Sequence, residues 1–236
     1  MLSANIRQVG GACSVIVGIS YVLVGITYFL LPTGQQPGGG AAAFYASMAQ
    51  DPTFSQLLNW EFGLGAIFAF GAVAAIAEAV RGAGDGWTRW TTNLAIVGFA
   101  VNAISSFRGL AIDASIARAY VAADASAKAA IAATVGSSID PQGWLEFGAV
   151  GVWIAVMSAL TLRSGALPRW TAYVGFAAAV AYWLVVAGNT LGIPALIAVA
   201  AGLGGAVLAP AWFIGNGLAL RRSTALASAA SVTSRA

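Results

Sequence analysis

Residues 57–80 read LLNWEFGLGAIFAFGAVAAIAEAV. As a helix rising 1.5 Å per residue this stretch is about 36 Å long, enough to cross a hydrocarbon layer of about 30 Å. It has the composition of a membrane span, with one exception that matters. Glu61 lies inside the apolar run, where an ionised carboxylate costs several kcal/mol unless something compensates it. Residues 143–153, GWLEFGAVGVW, repeat the feature with the same Glu-Phe-Gly triplet, at Glu146.

Working outward from 57–80, five more apolar stretches of spanning length follow at roughly 11–31, 90–112, 143–163, 170–190 and 195–220. Of the 236 residues, 59% are apolar and 8% are charged, where a soluble domain carries roughly 25% charged side chains. The expected fold is all-α, an integral membrane six-helix bundle forming one transmembrane domain over 1–222. The closing STALASAASVTSRA, 223–236, is low in complexity and reads as a disordered cytoplasmic tail. Two connections exceed a turn. Residues 33–55 open with the glycine-rich TGQQPGGG and continue into AAAFYASMAQ, a short helix expected on the membrane surface. Residues 113–140 include the alanine-rich ASIARAYVAADASAKAAIAA, expected as a separate connecting helix. The first apolar run is longer than the core of a signal peptide, and LLPTGQQ lacks a small-x-small cleavage pattern, so 11–31 reads as a retained span.

The basic residues orient the bundle. Arg7, Arg81, Arg89, Arg163, Arg169, Arg221, Arg222 and Arg235 fall on one side, and Arg108, Arg118 and Lys128 on the other. The positive-inside rule makes the first side cytoplasmic, with both termini there, in the plasma membrane of the cell. Six of the eight acids, Glu61 and Glu146 among them, lie toward the outside.

Several chemistries are excluded by absence. With no histidine, His-ligated haem, His-containing zinc sites and His-based triads fall away. The only lysine, Lys128, lies between spans, where it cannot carry a Schiff base inside the bundle. No GxxxxGK[ST] is present, and the GLG pieces at 63–65 and 202–204 read as packing glycines. The single cysteine, Cys13, has no internal partner. No cofactor and no metal is expected, nucleic acid is not a partner, and the chain does not read as an enzyme.

An internal repeat sets the glutamates in context. NWEFGLGAIFAFG at 59–71 aligns with WLEFGAVGVWIAV at 144–156, and RWTTNLAIVGFAVNA at 89–103 with RWTAYVGFAAAVAYW at 169–183. Spans 2–3 and 4–5 therefore read as a duplicated helical hairpin in parallel orientation. Arg89 and Arg169 suit lipid phosphates, and Trp90 and Trp170 suit the interfacial belt.

Counting inward from the outer surface, Glu61 and Glu146 sit at about the same depth, roughly 7 Å along their helices. Arg108 reaches the same level from NAISSFRG in span 3. The expected arrangement is a Glu-Arg-Glu layer in which Glu61 and Glu146 flank Arg108. Asn102 and Ser105 extend it, and Tyr21, Tyr28, Tyr182 and Asn189 are candidates for its wall. One cation for two carboxylates leaves a proton to be shared, which would make the layer pH-sensitive.

YVLVGITYFLLPTGQ, NAISSFRGLAID and above all LPRWTAYVGF give the chain a pattern that resembles bacterial polytopic membrane proteins grouped as a domain of unknown function. The resemblance implies a helical membrane fold and brings no catalytic residue with it. Two readings of function follow. In one, the polar layer borders a cavity for small-ligand binding or proton-coupled transport. In the alternative, the layer is a structural ion pair, and the chain is a non-catalytic accessory or structural subunit of a membrane complex. Its partners are the lipid bilayer and, for the alternative, another membrane subunit or a second copy of the chain.

Overall fold

The computed structural model describes residues 2–36, 40–134 and 139–233. Six helices among them are long and apolar enough to cross a membrane: Asn5–Leu30, Thr53–Ala83, Asp85–Ala122, Trp144–Ser164, Arg169–Leu191 and Pro194–Arg222. The helices are α1 (Leu2–Leu30), α2 (Gly40–Gln50), α3 (Thr53–Val80), α4 (Asp85–Ala122), α5 (Ala125–Thr134), α6 (Val150–Ser164), α7 (Arg169–Leu191), α8 (Pro194–Leu203) and α9 (Ala209–Thr233). No strand occurs among the described residues.

Helix ends follow the chain's punctuation. Pro32, Pro52 and Pro168 stand outside α1, α3 and α7, and Pro194 opens α8 at its first position, where its missing N–H is no loss. Gly165 and Gly192 take left-handed φ values of 64° and 66° as C-caps of α6 and α7, a conformation that favours glycine.

Two π-helical turns interrupt the spans. Trp144–Ala149 leads directly into α6, and Gly204–Leu208 joins α8 to α9. The last span is therefore one membrane crossing in three pieces.

The core lies where α1 packs on α3 and α9, α3 on α4, and α6 on α7. Small residues set those distances. A Cβ on Gly10 would lie 2.2 Å from the Ala75 side chain in α3, and one on Gly217 of α9 would lie 2.6 Å from the Gly11 carbonyl in α1. The centre is aromatic. Trp153, Trp212, Phe213 and Phe99 are buried and meet mostly edge to face, with Trp153 and Trp212 centroids 5.2 Å apart. The Ser14 hydroxyl donates to the Phe213 carbonyl at 2.6 Å, tying α1 to α9.

The connections differ from expectation in three places. The 113–140 segment is not a separate helix throughout. α4 continues to Ala122, because DASIARAYVA contains no glycine or proline to stop it. At 38 residues α4 is about 57 Å long and projects beyond a layer of about 30 Å. α2 packs against that projection, burying Tyr45 and Met48 with Ala117, and Tyr45 and Tyr120 ring centroids lie 4.8 Å apart. The surface helix expected in 33–55 thus exists but rests on protein. Lastly, the 223–236 segment, read as disordered, continues α9 as far as Thr233, in keeping with its alanine content; 234–236 lie outside the described residues, as do 37–39 and 135–138.

The 33–55 connection is tied down by Gln35, which is buried. Its amide donates to the Asp51 carbonyl at 2.8 Å, and its carbonyl accepts from Ser55. Hydrogen bonds from Thr53 hold the exposed Asp51 carboxyl below its ordinary range.

Candidate functional site

The first π-helical turn positions Glu146. Gly143, with φ of 75°, precedes it, and the Gly143 carbonyl accepts from the Phe147 and Gly148 amides at 3.0 and 2.9 Å. Asp140 caps the turn, accepting from the amides of Trp144, Leu145 and Glu146 at 2.9, 2.6 and 3.0 Å. Gly98 of α4 lets this turn approach, since a Cβ there would lie 2.4 Å from the Leu145 carbonyl oxygen. Glu146 consequently faces α4. Its Oε1 accepts from the Ser105 hydroxyl at 3.0 Å, and the Asn102 amide is a second donor to the carboxylate.

Glu61 occupies a related but separate setting. Its Oε1 accepts from the buried Thr27 hydroxyl of α1 at 2.9 Å, while Oε2 is buried without a partner. Each glutamate is thus held by a hydroxyl from the span before it in the chain.

The expected direct pairing with Arg108 is not present. Among the described residues the ion pairs are Arg81 with Glu78 and Asp85, and Arg89 with Asp85, all at the opposite end of the bundle. Arg108 instead exerts its charge on Asp113, five residues further along α4. Asp113 also takes a hydrogen bond from Asn59 of α3. Gly109 makes room for that bond, because a Cβ there would lie 2.6 Å from Asn59 Nδ2 and 2.8 Å from Asp113 Oδ2. Equal depth along a helix does not make two residues neighbours. Their directions around their helix axes also matter, and here neither glutamate comes within ion-pair distance of Arg108.

Two cavities meet at Glu146. The first, about 260 Å³, is bordered mainly by polar side chains. Arg108, Asp113, Asn59, Ser106, Asn102, Ser105 and Glu146 line it, with Phe62, Phe147 and Ile139. The second, about 330 Å³, is mostly apolar and lies between α1, α7, α8 and the second π-helical turn. Tyr21, Tyr28, Tyr182 and Asn189 stand in its wall, with Val185 and Ile197. Phe62, Asn102, Glu146 and Phe147 line both cavities and form the partition between them. Asn189 also donates from Nδ2 to the Gln142 carbonyl at 3.4 Å, joining the end of α7 to the loop before Glu146.

Of the residues singled out from sequence, Glu146, Asn102, Ser105 and Arg108 share the first cavity, and Glu146, Asn102 and Asn189 share the second. Glu61 lines neither. Sequence reasoning passed over Phe62 and Phe147, the aromatics that flank the carboxylate, although each directly follows one of the two glutamates. It also missed Thr27 and Asn59, whose roles depend on which helix lies opposite, and both π-helical turns. Among the described residues no three His, Cys, Asp or Glu side chains gather as a metal-binding set.

Comparison with protein-family models, with curated proteins and with solved structures finds no match for this chain.

Proposed function

We propose that this membrane protein binds, and carries across part of the bilayer, a small ligand or proton at Glu146, with the two cavities acting as halves of one non-catalytic site. The observation that carries the reading is the position of Glu146 in the wall of both cavities, held by two neutral donors, Ser105 and Asn102, rather than locked in an ion pair. A carboxylate that serves only to fasten helices is expected to be fully paired, because breaking a buried pair is costly. One that faces open volume is available to exchange a proton or meet a ligand.

The orientation belongs to the same proposal. The excess of arginine at the ends opposite Glu146 supports cytoplasmic termini in the plasma membrane, so that the polar cavity faces outward. A duplicated hairpin is supported by parallels beyond sequence. Thr91 and Thr171 of the two RWT elements are both buried and both donate to backbone carbonyls, and Trp90 and Trp170 are equally exposed. Duplication would account for two glutamates of which one, Glu61, lines neither cavity.

Infrared spectroscopy of the carboxyl groups tests the reading. As the external pH is changed, wild type should show a carboxyl band that responds, Glu146→Gln should lose it, and Glu61→Gln should keep it. A spectrum in which no band responds, in wild type or either variant, would favour the accessory-subunit alternative.

A further inference from the structure

The second cavity has a chemistry that selects its occupant. Among the described residues that line it, the one ionisable acid or base of ordinary physiological charge is Glu146, and none is an arginine or lysine. Around the carboxylate stand two edge-to-face aromatic pairs, Tyr21 with Phe62 at 6.3 Å and Tyr182 with Phe147 at 5.4 Å between centroids. Beside it, the carbonyl oxygen of Asn102 is buried and accepts no hydrogen bond, because the amide half of that side chain is turned to Glu146. A buried acceptor without a donor is costly.

The polar end of the cavity thus offers a carboxylate and an unused acceptor, and its sides offer aromatic rings and aliphatic surface. Anions and hydrogen-bond acceptors are poorly matched to such a lining. A protonated amine is well matched: its N–H groups supply the missing donor, its charge is met by the carboxylate, and aromatic rings attract cations. The cavity also reaches the side of the bundle. Tyr28 and Phe29 of α1 and Ala198 of α8 line it and are exposed, with Phe29 at 81%. α1 meets the last span at the second π-helical turn, where a Cβ on Gly25 would lie 2.6 Å from that of Ala206, and packs along α9, while α8 leans on α7. The mouth between α1 and α8 therefore opens on the outer side of the bundle, among exposed apolar side chains.

We infer that the second cavity binds a lipophilic primary or secondary amine in its protonated form, with its nitrogen at Glu146 and Asn102 and its apolar body between α1, α7 and α8. This rests on the reading of Glu146 as a ligand-facing carboxylate and adds the class of ligand. The amine enters by the side opening, from the bilayer into which its apolar part partitions.

The probe is 4-phenylbutylamine, compared with 4-phenylbutanol, which keeps the apolar body and one donor but carries no charge. Binding is measured by calorimetry at neutral pH on the full chain in lipid nanodiscs, with empty nanodiscs as the baseline for partitioning. Wild type should bind the amine at least tenfold more tightly than the alcohol. Glu146→Gln should weaken the amine at least tenfold and leave the alcohol within about threefold, and Val185→Trp, which fills the cavity, should abolish both. If Glu146→Gln does not fold, Asn102→Ala carries the comparison, with the amine weakened more than the alcohol. Equal binding of amine and alcohol, or no binding of the amine above the empty-nanodisc baseline, overturns the inference. Either result obtained alongside a pH-responsive Glu146 infrared band overturns only the ligand class, whereas loss of that band as well removes the site reading beneath it.

Discussion

At Glu146 a carboxylate takes hydrogen bonds from two uncharged side chains and keeps the rest of its surface toward open volume. Neutral donors orient such a group without cancelling its charge, so it remains able to respond to what enters. Arg108 forms no ion pair among the described residues, and its charge acts on Asp113 at longer range. Arg108→Ala should therefore lower stability by no more than about 1 kcal/mol, as for weakly interacting charges, well short of the roughly 3–5 kcal/mol of a broken buried pair. In thermal unfolding of a double-mutant cycle, Arg108 should couple to Asp113→Asn and not to Glu146→Gln. Coupling to Glu146 would restore the ion layer that depth alone suggests. Asp140 offers a second test. It caps three amides of the turn that carries Glu146, so Asp140→Ala should cost about 0.5–2 kcal/mol. Asp140→Asn, which keeps an acceptor, should recover part of that loss.

The elements that shape the site are the two π-helical turns, one supplying Glu146 and Phe147 and the other supplying Gly205 and Ala206 to the same cavity. A π-helical turn inserts a residue without ending the helix, so the side chains after it are rotated relative to those before it. That rotation points Glu146 at α4 while α6 still packs on α7. The first turn depends on Gly98, and Gly98→Ala would place a methyl against the Leu145 carbonyl. The main chain must then move, and a loss of about 1–3 kcal/mol is expected, as for other overpacked sites. The infrared band of Glu146 should shift with it. An unchanged melting temperature and spectrum would mean that the turn's approach to α4 does not hold the carboxylate in place. None of this was legible from sequence. GWLEFGAVG has the composition of any span start, and a single inserted residue leaves no mark in hydrophobicity. The short helix at 40–50 was legible, because alanine-rich sequence follows a glycine-rich break. Its resting place on α4 was not, because that depends on α4 running ten residues beyond the expected 112.

Over the whole molecule, the crossings were readable because the bilayer imposes one strong rule, a sufficient apolar length, and all six stretches meet it. Lateral arrangement follows weaker rules, set by small residues and by single hydrogen bonds such as that from Thr27 to Glu61. Which carboxylate faces a cavity was therefore beyond the reach of sequence, although both carboxylates stood out. Orientation is tested in intact cells. Epitope tags at either terminus should resist added protease, and Ala42→Cys in a Cys13→Ser background should react with an impermeant thiol reagent; a cleaved tag or an inert Ala42→Cys would reverse or break the six-span arrangement.

If the two cavities are halves of one site, solutes pass from the outer polar cavity, by way of Glu146, into the apolar one. In the Cys13→Ser background, cysteines are placed at Ile139 in the polar cavity, at Val185 in the wall of the apolar cavity, and at Val73 in the closed core. Each is exposed from outside to a membrane-impermeant trimethylammonium-bearing thiosulfonate, and the rate of labelling is measured. Rapid labelling is expected at 139, slower but complete labelling at 185, and none at 73. Labelling at 139 with Val185→Cys as inert as Val73→Cys would contradict the single-site reading, because the two cavities would then be separate and Glu146 would close the passage between them.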